Sequence, residues 1–290
     1  MIRDILKSLR PQQWIKNFFI FAPLLFSRNF LDKALLLQTA LAFVSFALIS
    51  GAHYIFNDLR DIEEDRLHPL KSKRPLASGR LSKGPAVAAL AASGAAGFGL
   101  AAAINPPFLF VTAAYFLLQT VYSLWLKHVV ILDIFIVAAG FVIRVVAGGL
   151  AIRVEISSWL LICTMLLSLF LAMGKRRHEL VLLDEEAASH RPILKEYNTY
   201  LLDQMISVVT ASTLLAYCLY TISEETVAKF GTRNLLFTVP FVLYGIFRYL
   251  YLIHQRAGGG TPESLIIKDT PLLIDIFLWV AAAALILELG

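Results

Sequence analysis

The chain has 290 residues, 58% of them hydrophobic and only 16% charged, with a mean hydropathy of +0.70. A water-soluble domain of this length needs far more polar surface, so the composition excludes an ordinary soluble globular protein and makes the bilayer the expected solvent. The net charge of +5 is modest, so the positions of the charges matter more than their sum, and no nucleic-acid partner is expected.

Residues 1–14, MIRDILKSLRPQQW, form a short basic amphipathic lead-in without a small-residue cleavage site, so no cleavable signal peptide is expected. About nine runs are long and apolar enough to cross a membrane, at roughly 12–28, 34–56, 83–104, 107–126, 130–150, 156–175, 201–222, 233–254 and 270–289. The first is the least apolar, with Gln12, Gln13, Lys16 and Asn17 in its opening turns. Pro106-Pro107 marks a break between the third and fourth spans, and the run SGAAGFGLAAA in the third supplies small residues for close helix packing. Cys163 and Cys218 fall inside apolar runs without metal-ligand spacing and read as packing residues. The expected architecture is all-α, a single polytopic bundle over residues 1–290.

Most of the 26 Lys and Arg residues lie in the N-terminal segment and in the loops after the second, fourth, sixth and eighth spans. The intervening loops carry only Arg28, Lys33, Arg153, Lys229 and Arg233. The positive-inside rule then makes the N-terminus and the charged loops cytoplasmic, with the C-terminus on the far side.

The stretch NDLRDIEEDRLHPLKSKRPLASG, residues 57–79, follows the second span. If that span continues as a helix past the membrane edge, Asp58, Asp61 and Asp65 share one face. Three anions on one face repel one another, an arrangement that makes sense where divalent cations sit. Mg²⁺ takes hard oxygen ligands, commonly one or two carboxylates plus substrate phosphates. Lys71, Lys73, Arg74 and Arg80 are then placed to hold phosphate oxygens. A solvated loop obeying the positive-inside rule explains the basic half of the stretch but not the ordered acidic half.

Further along, Tyr122 and Lys127 end the fourth span and Asp133 opens the fifth, at the same cytoplasmic edge. Asp133 reads either as a second metal ligand or as a salt-bridge partner of Lys127. Arg144 lies about three turns deeper, where an arginine either lines a wet cavity or belongs to a buried pair. GKRRHE, residues 174–179, closes the sixth span, and TPESLIIKD, residues 261–269, lies in the last charged loop. His53 and His128 read as structural. The charge-poor far side and the lack of an internal repeat argue against a transporter.

NDLRDIEED followed by KSKRP resembles the first motif of the UbiA-type intramembrane prenyltransferase superfamily, NDxxDxxxD with a downstream RP. RPQQWIKN, residues 10–17, is similar to that superfamily's first-helix RPxxWxxN pattern. Where many members carry a second DxxxD motif, this chain has YSLWLKHVVILD. That segment, GKRRHEL and PESLIIKD instead resemble the decaprenyl-phosphate phosphoribosyltransferase branch, with Arg177 standing where the branch often has an aromatic. The resemblance implies a multi-pass protein of the plasma (inner) membrane with its active site facing the cytoplasm. It implies Mg²⁺ as cofactor, 5-phosphoribosyl diphosphate as donor and a polyprenyl phosphate as acceptor. On that reading Asp58, Asp61 and Asp65 hold the metal, Asn57 orients an oxygen, and Lys127 neutralises the leaving group. Asp133 supports a second metal or the ribose hydroxyls. Lys16, Asn17, Arg74, Tyr122, Arg144, Lys175 and Arg176 seat the phosphates. The alternative is transfer of an isoprenoid from its diphosphate to an aromatic or glycerol-phosphate acceptor.

Overall fold

The computed structural model describes residues 1–68, 71–183, 192–255 and 262–289, and among these every regular element is helical. Eight helices are long and apolar enough to cross a membrane. They are α1 (Lys33–Arg60), α2 (Lys83–Ile104), α3 (Pro106–Leu124), α4 (Leu132–Ile152), α5 (Ser158–Val181), α6 (Thr199–Ile222), α7 (Asn234–Gln255) and α8 (Thr270–Leu289). Each falls within a few residues of an expected span except at two charged ends. There α1 runs on to Arg60 and α5 runs through the GKRRHE tract, which is therefore helix and not loop. Of the last charged-loop candidate, Thr261 lies outside the described residues.

The expected span at 12–28 is built differently. It is a 3-10 helix, Pro11–Phe21, running straight into the four-residue helix Ala22–Leu25. Arg10 enters it in the left-handed region (φ 52°), and Pro11 and Pro23 withhold N–H donors near its two ends. At about 2.0 Å per residue its eleven residues rise about 22 Å, against about 17 Å in an α-helix. The segment runs antiparallel to α1. Arg10 pairs with Asp58, Asn17 Nδ2 lies 3.5 Å from Ser50 Oγ, and the Phe18 and Phe21 rings lie 5.1 and 5.9 Å from Phe43.

The chain forms two compact units. One comprises Met1–Lys127 and Ile143–Glu155, the other His128–Val142 and Ile156–Gly290. In the first, α1 and α2 pack closely because the small-residue run removes bulk between them. Ser45 Oγ donates to the Gly97 carbonyl at 2.8 Å, and a Cβ at Gly97 would lie 2.5 Å from Ile49 Cγ1. Phe46 meets Phe108 and Tyr115 of α3 with ring centres 5.9 and 5.1 Å apart. Asn105 makes the corner before α3. Its Oδ1 accepts from the Phe108 N–H at 2.8 Å, and its Nδ2 donates to the Leu150 carbonyl at 2.9 Å. Pro106 then opens the helix where a missing N–H costs nothing. A Cβ at Gly148 would run into the Ile20 backbone carbonyl, so α4 can lie directly on the N-terminal segment only with glycine there.

The second unit is centred on Phe170, Tyr249, Ile134, Leu202 and Ile206, with the Phe170 and Tyr249 rings 5.1 Å apart. A Cβ at Gly174 would sit 3.0 Å from the Tyr249 ring, which fixes how closely α5 and α7 approach.

Candidate active site

The acidic stretch of the first unit does not form one continuous helix. After Arg60 the chain turns at Asp61 (φ −95°, ψ 21°) and restarts as Ile62–Leu67. The expectation of three carboxylates on one face is corrected by this break. Asp58 and Asp65 come together, while Asp61 turns to other partners. Asp58 and Asp65 are each 2% exposed. Arg74 spans them, with its Nη1 at 3.1 Å from Asp58 Oδ1 and 2.5 Å from Asp65 Oδ2. Arg10 donates to the same Asp58 oxygen, and Lys71 Nζ stands 4.0 Å from Asp65.

The sequence positions Arg74 through the tract that follows it. Ser78 N–H donates to the Arg74 carbonyl, Leu81 N–H donates to that of Pro75, and Gly79 takes the left-handed turn (φ 75°). Leu76 and Leu81 then bury against Ile55, Ile62 and Ala86, drawing the guanidinium back over the acidic pair. Arg80 ends elsewhere: its Nη2 donates to the Lys73 carbonyl at 2.7 Å and its Nε lies 3.7 Å from Asp4.

Asp61 belongs to a second knot at the ends of α1 and α3. Arg60 Nε donates to Asp61 Oδ1 at 2.7 Å, and Lys127 Nζ stands 4.0 Å from Asp61 Oδ2. Arg60 Nη1 also donates to the Ser123 carbonyl at 2.5 Å, and Ser123 Oγ donates to Asn57 Oδ1 at 2.5 Å. The structure thus brings Asn57, Asp61 and Lys127 together, with Tyr122 half-buried beside Ser123.

A third group lies deeper in the same unit. Arg144, 4% exposed, donates from Nε to Asn17 Oδ1 at 2.8 Å and from Nη2 to the Tyr115 hydroxyl at 2.7 Å. Its guanidinium carbon also stands 4.7 Å from the Tyr115 ring centre. Lys16, next to Asn17, is half-buried.

In the second unit, Asp133 is fully buried. Expected as a metal ligand or as a partner of Lys127, it has both carboxylate oxygens occupied within its own unit. Arg176 Nε donates to Oδ2 and the Tyr197 hydroxyl to Oδ1, each at 2.7 Å. Arg176, 3% exposed, also donates to Glu179 at 2.7 Å, and Lys175 Nζ lies 3.9 Å from that same carboxylate. The Tyr197 hydroxyl in turn accepts from the N–H of Ile131, which sits at φ 67°, a costly conformation for a β-branched residue. Burial and the hydrogen bond to Asp133 push the Tyr197 phenol up to about 12, so it stays a donor at any physiological pH. Arg177 makes a separate fork to Asp203 at 2.6 and 3.3 Å.

Arg10, Tyr115, Ser123 and Tyr197 carry these groups alongside the residues expected from sequence. Arg10 stands in the RPQQWIKN tract and Ser123 in the YSLWLKHVVILD segment; Tyr115 and Tyr197 are single polar residues that no local spacing marks.

Among the described residues no three His, Cys, Asp or Glu side chains converge as a metal-holding group. The donor chemistry at Asp58 and Asp65 nonetheless fits a hard divalent cation. Two buried carboxylates already converge on one positive charge, that of Arg74.

Comparison with known proteins places the chain. The UbiA prenyltransferase family model matches residues 18–279. The chain belongs to that family and is a multi-pass membrane transferase. It is 33% identical to the decaprenyl-phosphate phosphoribosyltransferase of Corynebacterium glutamicum, over 95% of this chain and 84% of that protein. It is 32% identical to the enzyme of the same name from Mycolicibacterium smegmatis, over 97% of this chain and 91% of that one. A UbiA homologue from Archaeoglobus fulgidus, solved with DMAPP and Mg²⁺, shares the fold with a TM-score of 0.74 at 20% identity, over 99% of this chain and 100% of that one.

Proposed function

We propose that the protein transfers 5-phosphoribose from 5-phosphoribosyl 1-diphosphate to a polyprenyl phosphate, with release of diphosphate, at an Mg²⁺-dependent site facing the cytoplasm. The observation that carries this reading is the full-length likeness to two decaprenyl-phosphate phosphoribosyltransferases. The first unit supplies chemistry that suits it: buried carboxylates, a ring of guanidinium and ammonium groups, and the Arg144 group.

Asp58 and Asp65 are the residues that would hold the metal, which when bound neutralises charge on the leaving diphosphate. Arg74, Arg10 and Lys127 bind and orient phosphate oxygens, and Asn57, fixed by Ser123, sets the position of Asp58 beside it. As the anomeric C–O bond breaks, the sugar carbon gains oxocarbenium character and a phosphate oxygen of the lipid attacks its opposite face. That oxygen is already ionised at neutral pH, so no histidine base is needed. Lys16, Asn17, Tyr122 and Arg144 seat the acceptor phosphate or the donor 5-phosphate. Asp133 and Arg176 tie α4 to α5 at the second unit's charged end, and Lys175 pairs with Glu179 on α5.

The test supplies purified protein in detergent with Mg²⁺, a short polyprenyl phosphate and labelled 5-phosphoribosyl diphosphate, and counts label extracted into the lipid phase. Magnesium-dependent transfer is the expected result. No transfer, with turnover of a prenyl diphosphate and an aromatic or glycerol-phosphate acceptor instead, overturns the donor and favours the second reading, which the family's name also supports.

A further inference from the structure

We infer that Arg74 and Arg10 are internal counter-ions that give up the acidic pair to the metal and pass to the diphosphate, so that metal and diphosphate enter this site as a coupled pair. The inference rests on the metal–diphosphate reading of the site given above and adds how that site is gated.

Asp58 and Asp65 are nearly sealed from solvent, and a carboxylate in that position is costly unless a positive charge faces it. One guanidinium, Arg74, serves both, and a second, Arg10, shares the Asp58 oxygen. With Lys71 Nζ 4.0 Å from Asp65, the five groups together carry one net positive charge. A divalent cation added to them leaves an excess of three positive charges in a poorly solvated place, which opposes binding of the metal alone. Diphosphate alone finds the guanidiniums already taken. Arriving together, the metal takes the carboxylates and the phosphate oxygens take the freed guanidiniums, so every charge is again matched. Coupling of this kind is reciprocal and typically amounts to about 5- to 150-fold.

Three further observations favour exchange over a permanent lock. The Arg74 and Arg10 side chains are 28% and 26% exposed while the carboxylates they cover are not, so the cations form the outer layer of the pair. Arg10 is also held in a left-handed backbone conformation, φ 52° and ψ 64°, which is costly for a non-glycine residue. The Tyr54 ring, 4.9 Å from its guanidinium carbon, gives that cation a second resting surface beside Asp58.

The experiment measures Mn²⁺ alone, and inorganic diphosphate with and without Mn²⁺, binding to the full-length protein in detergent. Metal is followed by electron paramagnetic resonance and diphosphate by calorimetry. Arg74→Gln is expected to bind Mn²⁺ alone about tenfold more tightly than the native chain and Mn²⁺-diphosphate about tenfold more weakly. Arg10→Gln, run in parallel, has the same signs and serves if Arg74→Gln does not fold. Arg74→Lys, which keeps the charge, stays near the native value for metal alone. Variants that melt like the native protein but bind metal alone no better than it, or lose both ligands equally, overturn the inference. Both probes are shared by phosphoribosyl and prenyl donors, so the result is independent of which donor the labelled assay identifies.

Discussion

Asp58 and Asp133 are both carboxylates sealed inside a membrane protein against arginine, yet they are built to opposite ends. The cations on Asp58 reach it from outside, with a quarter of each side chain still in contact with solvent. The partners of Asp133, one cation and one phenol, are nearly as buried as it is. Arg176 is 3% exposed, Tyr197 is 4% exposed, and each makes a further hydrogen bond that fixes it. An ion pair whose cation can be rehydrated is exchangeable, whereas one whose partners are all interior is part of the scaffold. The exposure of the partner, more than that of the carboxylate, separates a binding group from a strut.

That contrast can be broken at several points. The largest effect is expected from Asp133→Ala, which removes the buried carboxylate that Arg176 Nε and the Tyr197 hydroxyl share. A loss of about 3–5 kcal/mol should appear as poor yield and a much lower melting temperature in detergent. Asp58→Asn should do the reverse, with melting near native because Arg10 and Arg74 can turn to water, but turnover reduced by more than about a hundredfold. An active Asp58→Asn enzyme would remove the metal-binding role. Tyr197→Phe deletes one donor to Asp133 and the acceptor for the Ile131 N–H, so a destabilisation of about 1–3 kcal/mol is expected. A melting curve unchanged by that substitution would mean the Asp133 group is not the strut described. The smallest effect belongs to Arg153→Gln. Arg153 is exposed just past the end of α4, and its loss should alter melting and turnover by no more than about 0.5 kcal/mol.

How much of this was legible in the sequence follows the reach of each interaction. The long helices were, because twenty apolar residues in a row leave a chain few alternatives. The acidic stretch was also legible, but its break at Asp61 was not, since the choice depends on Arg60 and Lys127 competing for that carboxylate across two helices. Arg74 was visible as a cation near the acids, though nothing local said that it would bridge two of them. The bond from Tyr197 to Asp133 joins residues 64 positions apart, and no local pattern announces it. The helical course of the GKRRHE tract was hidden by its charge, which the ion pairs of Lys175 and Arg176 with Glu179 neutralise on one helix face.

The 3-10 winding of Pro11–Phe21 makes the N-terminal segment a rod whose length depends on its pitch. Rewound as α-helix, its eleven residues would shorten by about 5 Å, which exceeds the reach of any hydrogen bond. With the Ile20 carbonyl seated against Gly148, that shortening would be taken up at the other end, where Arg10 grips Asp58. The pitch of this rod and the grip of Arg10, the residue that caps it, on the acidic pair are therefore one mechanical variable, set where Ile20 is buried against Gly148 and felt at Asp58.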